Sequence, residues 1–67
     1  MSIAKVIEIS SESTESFEDA AGNALKEVGK TVNNVKHLWV KDMEILVQED
    51  GSYLYRTACK VSFVVNS

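Results

Sequence analysis

His37, Trp39 and Lys41 recur at every second position between Val35 and Gln48, and Arg56 and Lys60 share one parity between Ser52 and Val65. On a β-strand that spacing sends side chains to a single face. If the two stretches are neighbouring strands, the five residues line either a solvent cavity or a subunit interface. An indole on a strand can fill a core, or it can offer a flat face on which a planar ligand stacks. His37 can join such a stack, titrate, or sit as a hydrogen-bonded structural residue. Arg56 lies in an apolar strand between Tyr55 and Thr57, where a guanidinium needs acceptors; a salt bridge across a subunit boundary would supply them. Asp42 and Glu44, two apart, are hard oxygen donors. They suit a divalent cation when symmetry brings copies together, and they suit solvent otherwise.

Much other chemistry is excluded by what the chain contains. It has one histidine and one cysteine, so a conventional zinc or nucleophile-base constellation cannot be built within one protomer. There is no Gly-rich phosphate loop, no His-x-x-x-His pair and no Cys-x-x-Cys. A site shared between subunits is the route left to catalysis. The expected role is binding, and the chain is not expected to be an enzyme. Cys59, with no cation or helix start beside it, reads as a small core hydrophobe. The acids from Glu12 to Asp19 lack calcium-loop spacing and its glycine, and read as stabilising a helix start.

The elements that must position these residues follow from periodicity. Ile3 to Ile9 is a β-branched strand running into Ser10, Ser11, Glu12, Ser13 and Thr14, a cluster of turn and cap formers. Ser13, Thr14 or Ser16 can each cap a helix whose first turn carries Glu15, Glu18 and Asp19. Phe17, Ala20, Ala21, Ala24, Leu25, Val28 and Val32 recur at spacings of three and four, an amphipathic stripe with small residues for close packing on a sheet. Gly29, ahead of Asn33 and Asn34, places the helix end near Lys30 to Val32. Val35 to Gln48 and Ser52 to Val65 are strands joined at Asp50-Gly51, a strong hairpin signal. The order is therefore β-α-β-β, an α+β protomer with a β2–β3 hairpin and β1 beside β3. In the last strand Cys59, Val61, Phe63 and Val65 face the helix, and Arg56, Ala58, Lys60 and Ser62 face away.

Size adds a constraint. A domain of 67 residues buries only about 60% of its unfolded surface and gains little core against chain entropy. One cysteine excludes an internal disulfide, so oligomerisation is the stabilising device left. Net charge is −3, which gives no electrostatic footprint for nucleic acid or anionic lipid, and neither is expected as a partner. Lys5 and Glu8 interrupt the apolar start, so no secretory signal or membrane span is expected; with the unpaired cysteine this points to the cytoplasm. One domain is expected to cover 1–67.

Five segments carry a resemblance: Lys5-Val-Ile-Glu-Ile-Ser-Ser-Glu-Ser, the helix start Ser16-Phe-Glu-Asp-Ala-Ala, Thr31-Val-Asn-Asn-Val, Trp39-Val-Lys-Asp, and the closing Tyr55-Arg with Lys60-Val-Ser-Phe. Their order and spacing resemble the dodecin family from about Ile3 to Val65 without a gap. The resemblance implies a three-stranded antiparallel sheet wrapped partly around one helix. Twelve such protomers would form a hollow homododecamer of tetrahedral symmetry. It also implies a small aromatic ligand. Flavin-binding dodecins hold riboflavin or FMN in pairs near subunit interfaces, stacked on a strand-two tryptophan and hydrogen-bonded by a strand-three glutamine after a tyrosine. Storage, buffering and photoprotection of flavin are the roles implied.

At those positions this chain differs. Aligned on Asn34-Val35 and on Tyr55, the stacking position falls on His37 and the glutamine position on Arg56. Trp39 lies two residues further, on the same face and about 7 Å along the strand. Positions that are basic near the FMN phosphate in some members fall on Glu44 and Val64. The expected ligand-binding residues are therefore His37, Trp39, Lys41 and Arg56. An arginine after the strand-three tyrosine also resembles a flavin-free branch associated with calcium, for which Asp42 and Glu44 are the expected metal ligands.

Overall fold

The computed structural model describes residues 2–66 and has the order β1 Ser2–Ser13, α1 Phe17–Gly29, β2 Val35–Val47, β3 Tyr53–Asn66. The three strands form one antiparallel sheet in the order β1-β3-β2, so β3 is central and the β-α-β-β topology expected from the sequence is the one found.

Turn chemistry sets the β2–β3 register. Gly51 takes φ 86°, a left-handed conformation that costs glycine little and an L side chain more. Its N–H donates to the Gln48 carbonyl at 2.9 Å, closing the turn. Asp50 Oδ1 accepts from the Ser52 amide at 2.9 Å and from its hydroxyl at 2.6 Å, and these bonds hold the Asp50 carboxyl below its ordinary value. At the far end of β2, Asn34 adopts φ 62°, which asparagine tolerates better than most residues, and its carbonyl accepts from Val64 N.

Ser16 is the helix cap. Its extended backbone lets the hydroxyl accept from Asp19 N at 2.9 Å, while Glu18 and Asp19 occupy the first turn near the positive end of the dipole. Ser13 reinforces the entry: its hydroxyl accepts from Glu15 N at 2.9 Å and donates to Asp19 Oδ2 at 2.6 Å. The helix ends at Gly29, with Lys30 as its cap, slightly before the range expected from the sequence. A second difference is larger. Ser10 to Ser13 continue β1, paired with Ala58, Thr57, Arg56 and Tyr55, and Glu12 is a strand residue with no part in the helix start. The long ladder of β3 overrides the turn preference of the serines.

Ala20, Ala24 and Val28, spaced by four, are buried against a sheet face carrying Thr57, Cys59 and Val61, which are also buried. The alanines allow close approach, and Phe17 meets Tyr55 edge-on at 5.1 Å between ring centroids. Leu25, on the expected stripe, stays 42% exposed. The helix reaches β2 only in part, and the inward residues Val40, Met43 and Ile45 remain exposed. The protomer measures 51 × 20 × 14 Å, and its radius of gyration of 13.8 Å exceeds the about 11 Å expected of a compact 67-residue domain. Among the described residues no helix is long and apolar enough to cross a membrane.

Candidate functional site

The sheet face turned away from the helix gathers the candidate residues. Across β1, β3 and β2 its rows run Glu12–Arg56–Glu44, Ser10–Ala58–Asp42, Glu8–Lys60–Trp39 and Val6–Ser62–His37. Strict alternation would place Asp42 and Glu44 opposite His37, Trp39 and Lys41. A register shift between Val40 and Asp42 changes that: Lys41 is the extra residue, and beyond it the parity of β2 reverses. Such a bulge re-aims side chains, so Lys41, Asp42 and Glu44 all stand on the face of Trp39.

Two charge clusters result. Arg56 Nε donates to Glu12 Oε2 at 2.6 Å, and its Nη1 to Glu44 Oε1 at 3.3 Å. The guanidinium thus finds both acceptors within its own chain, where the sequence suggested a bridge to another subunit. The hydrogen bond to Glu12, followed by the charges of both carboxylates, raises the Arg56 pKa above its ordinary value. This row carries a net single negative charge. In the other cluster Lys41 Nζ donates to Glu8 Oε1 at 2.9 Å. That bond, then the Lys41 charge and more weakly that of Lys60, hold the Glu8 carboxyl below its ordinary value. Glu8, Lys41 and Lys60 together carry a net single positive charge. The face is therefore polarised, cationic around Trp39 and anionic around Arg56.

Trp39 is 52% exposed despite being the largest side chain of the protomer, and His37 meets it edge-on, with centroids 4.6 Å apart and planes crossing at 83°. The sequence placed these two on one face, and the structure makes them touch. Beside Trp39 a depression of about 230 Å³ is lined by Glu8, Ser10, Lys41 and Ala58 with Ile9 and Cys59. A larger hollow lies along Leu46 to Asp50 at the hairpin tip and touches none of the candidate residues.

The acids are differently placed. Asp42 Oδ1 accepts from Met43 N at 3.1 Å, and Glu44 is engaged by Arg56. Among the described residues no three His, Cys, Asp or Glu side chains gather as a metal cage. Glu8 and Glu12 were missed as functional candidates. For Glu8 the signal was present, since its parity on the Ile3 to Ile9 strand sets it opposite Lys60; Glu12 comes opposite Arg56 only because β1 continues past Ile9. Cys59 is buried as expected, its thiol 3.5 Å from Thr57 Oγ1.

Comparison with known proteins adds the following. The dodecin family model matches residues 3–66. A Thermus thermophilus dodecin carrying an arginine-to-alanine substitution is 25% identical with a TM-score of 0.91, covering 100% of this chain and 98% of that one. The calcium-chelating immunodominant antigen of Mycobacterium tuberculosis, a calcium dodecin described as having a novel calcium-binding site, is 30% identical with a TM-score of 0.88, covering 96% of this chain and 91% of that one. A dodecin from Streptomyces davaonensis shares the fold at a TM-score of 0.89 with 18% identity, covering 98% of this chain and 97% of that one. No curated protein sequence matches the chain.

Proposed function

This chain belongs to the dodecin family, and we propose that it is a cytoplasmic flavin-binding protein: a non-enzymatic homododecameric shell that stores and buffers riboflavin or FMN near its subunit interfaces. The observation that carries the reading is the Trp39 ring, half-exposed on the sheet face turned away from the helix and met edge-on by His37. A solvent-exposed indole at the middle of a strand is unfavourable unless something planar or another copy covers it. Trp39 supplies the stacking surface, His37 flanks it, and Lys41 and Arg56 border the ligand from the two charge clusters. Binding is favoured over catalysis because the face offers no nucleophile-base pair and His37 meets an indole, not an acid.

Assembly is supported by the shape of the protomer. Its 4831 Å² of accessible surface exceeds the about 4200 Å² expected for 7.4 kDa, and Met43, Ile45, Val47 and Val6 lie on that excess. Among the described residues both outer strands, β1 and β2, have one edge without a ladder partner. Burying these edges and side chains between copies removes both costs.

Titration of the purified protein with riboflavin and with FMN, followed by flavin fluorescence, tests the reading. Quenching at micromolar ligand is expected, lost in Trp39→Ala and retained in His37→Ala. Absence of quenching for both flavins would reject it. A second reading, a flavin-free calcium-binding shell, is favoured by the 30% identity to the mycobacterial calcium dodecin. Asp42 and Glu44 stand in adjacent rows of one face, and acids from symmetry-related copies would complete the coordination. It predicts a calcium-dependent rise in thermal midpoint that Asp42→Asn removes.

A further inference from the structure

We infer that the outer face holds an anion subsite beside Trp39, formed by Lys60, Lys41 and Ser10, so that the ligand is a planar aromatic bearing a carboxylate or a phosphate. The inference rests on Trp39 being the stacking ring and specifies what the rest of the ligand must be. Lys60 stands directly across from Trp39 in the β2–β3 register and is half-buried. Among the described residues it makes no ion pair, unlike Lys41, Lys30 and Arg56. A partly desolvated ammonium next to an indole, with its nearest carboxylate already taken by another lysine, gains from an incoming anion. Ser10 lies one row further along the sheet, and its hydroxyl has no hydrogen-bond partner among the described residues.

A depression next to the Lys60–Trp39 row, lined by neither of those two residues, supplies the room. Glu8, Ser10, Lys41 and Ala58 line it, and it opens one strand row, about 7 Å, from the Trp39 row. That distance suits a two- or three-ring aromatic stacked on Trp39 with its acid on a short arm. Polarity fixes the direction. Glu12 and Glu44, in the Arg56 row, repel an anion, whereas the Glu8–Lys41–Lys60 cluster attracts one; Asp42, across Ala58 from Ser10, bounds the subsite on the β2 side. The basic positions that the dodecin resemblance associates with phosphate are Glu44 and Val64 here, so this subsite lies elsewhere on the face.

Two matched ligand pairs test it on the intact assembly: FMN against riboflavin by flavin fluorescence, and 2-naphthoate against 2-naphthamide by calorimetry. Within each pair the ring is the same and only the charge differs. The acid is expected to bind about three- to fivefold more tightly at low ionic strength, the scale of a single exposed ion pair. The advantage should shrink in high salt and vanish in Lys60→Gln, read as the ratio of acid to neutral affinity within each pair. Equal affinities for FMN and riboflavin would overturn the subsite and leave the flavin reading standing. Binding of naphthoate with a Lys60-dependent advantage, in a protein that takes neither flavin, would sustain the subsite and reject the flavin reading. No binding by either pair would reject both.

Discussion

Thr57 and Ser11, facing each other across β3 and β1, form the middle of a directed hydrogen-bond chain under the helix. The two hydroxyl oxygens are 3.1 Å apart, and Ser11 donates to the Ala20 carbonyl. A hydroxyl has one proton, so the proton between them belongs to Thr57, which in turn accepts from the Cys59 thiol at 3.5 Å. Thiol, hydroxyl, hydroxyl and helix carbonyl thus run in one sense from sheet to helix. Ser11→Ala leaves the fully buried Thr57 donor unpaired and is expected to cost about 1–3 kcal/mol. Thr57→Val in the same background should recover part of that loss. Denaturant midpoints of the two single variants and the double variant, at one protein concentration, check this; additive losses would dissolve the chain into independent contacts.

Glu8 and Lys41 predict a pH dependence with a definite sign. The Lys41 hydrogen bond lowers the Glu8 pKa, so the pair adds stability above the ordinary carboxylate value and loses it as pH falls through the depressed folded value. Lys41→Met keeps the apolar stem and removes the charge. Carboxyl NMR titration should then show the Glu8 midpoint moving up toward the value of a free glutamate, and the variant should be less stable at neutral pH while losing the share of the acid-side destabilisation that this pair contributes. An unmoved midpoint would assign the depression to Lys60 instead.

Gly51 offers a local test of the hairpin. Nothing lies within 4 Å of a Cβ built there, so steric crowding is absent and only the φ of 86° opposes a side chain. Gly51→Ala should cost about 1 kcal/mol of stability, and Gly51→Asn less, because asparagine enters the left-handed region more readily. Urea midpoints compared with the parent protein distinguish the two; equal losses would mean that the turn can relax to another geometry.

Where the sequence was readable, one physical signal dominated each element. Ala20, Ala24 and Val28 at a spacing of four, the Asp50-Gly51 turn, and the alternation of Cys59 and Val61 against Ala58 and Lys60 each specify one local structure, and together they specify the fold. The failures have specific causes. Ser10 to Ser13 look like a loop because isolated serines prefer turns; they pair as a strand because β3 is long enough to template them. The bulge at Lys41 left no mark in the alternation of Val40, Lys41 and Asp42, since a single inserted residue matters only through what the partner strand does. The partners of Arg56 were hidden for the same reason: Glu12 lies 44 positions away in the chain. Tertiary register, which propensity does not encode, decided all three.

Arg56 carries the last prediction. Its Nε, Nη1 and Nη2 are directed at Glu12 and Glu44, so the guanidinium is committed within the sheet. A glutamine at this position, where the dodecin resemblance expects one, would present an amide donor and acceptor that neither glutamate strongly claims. Arg56→Gln should therefore tighten riboflavin binding several-fold. It should favour FMN less, because removing one positive charge changes the Glu12–residue 56–Glu44 row from a net single to a net double negative charge. Fluorescence titrations of both flavins against parent and variant read the two effects separately. Weaker binding of both would mean that the remaining N–H groups of Arg56 already contact the ligand, and that the arginine has taken over the role of the amide.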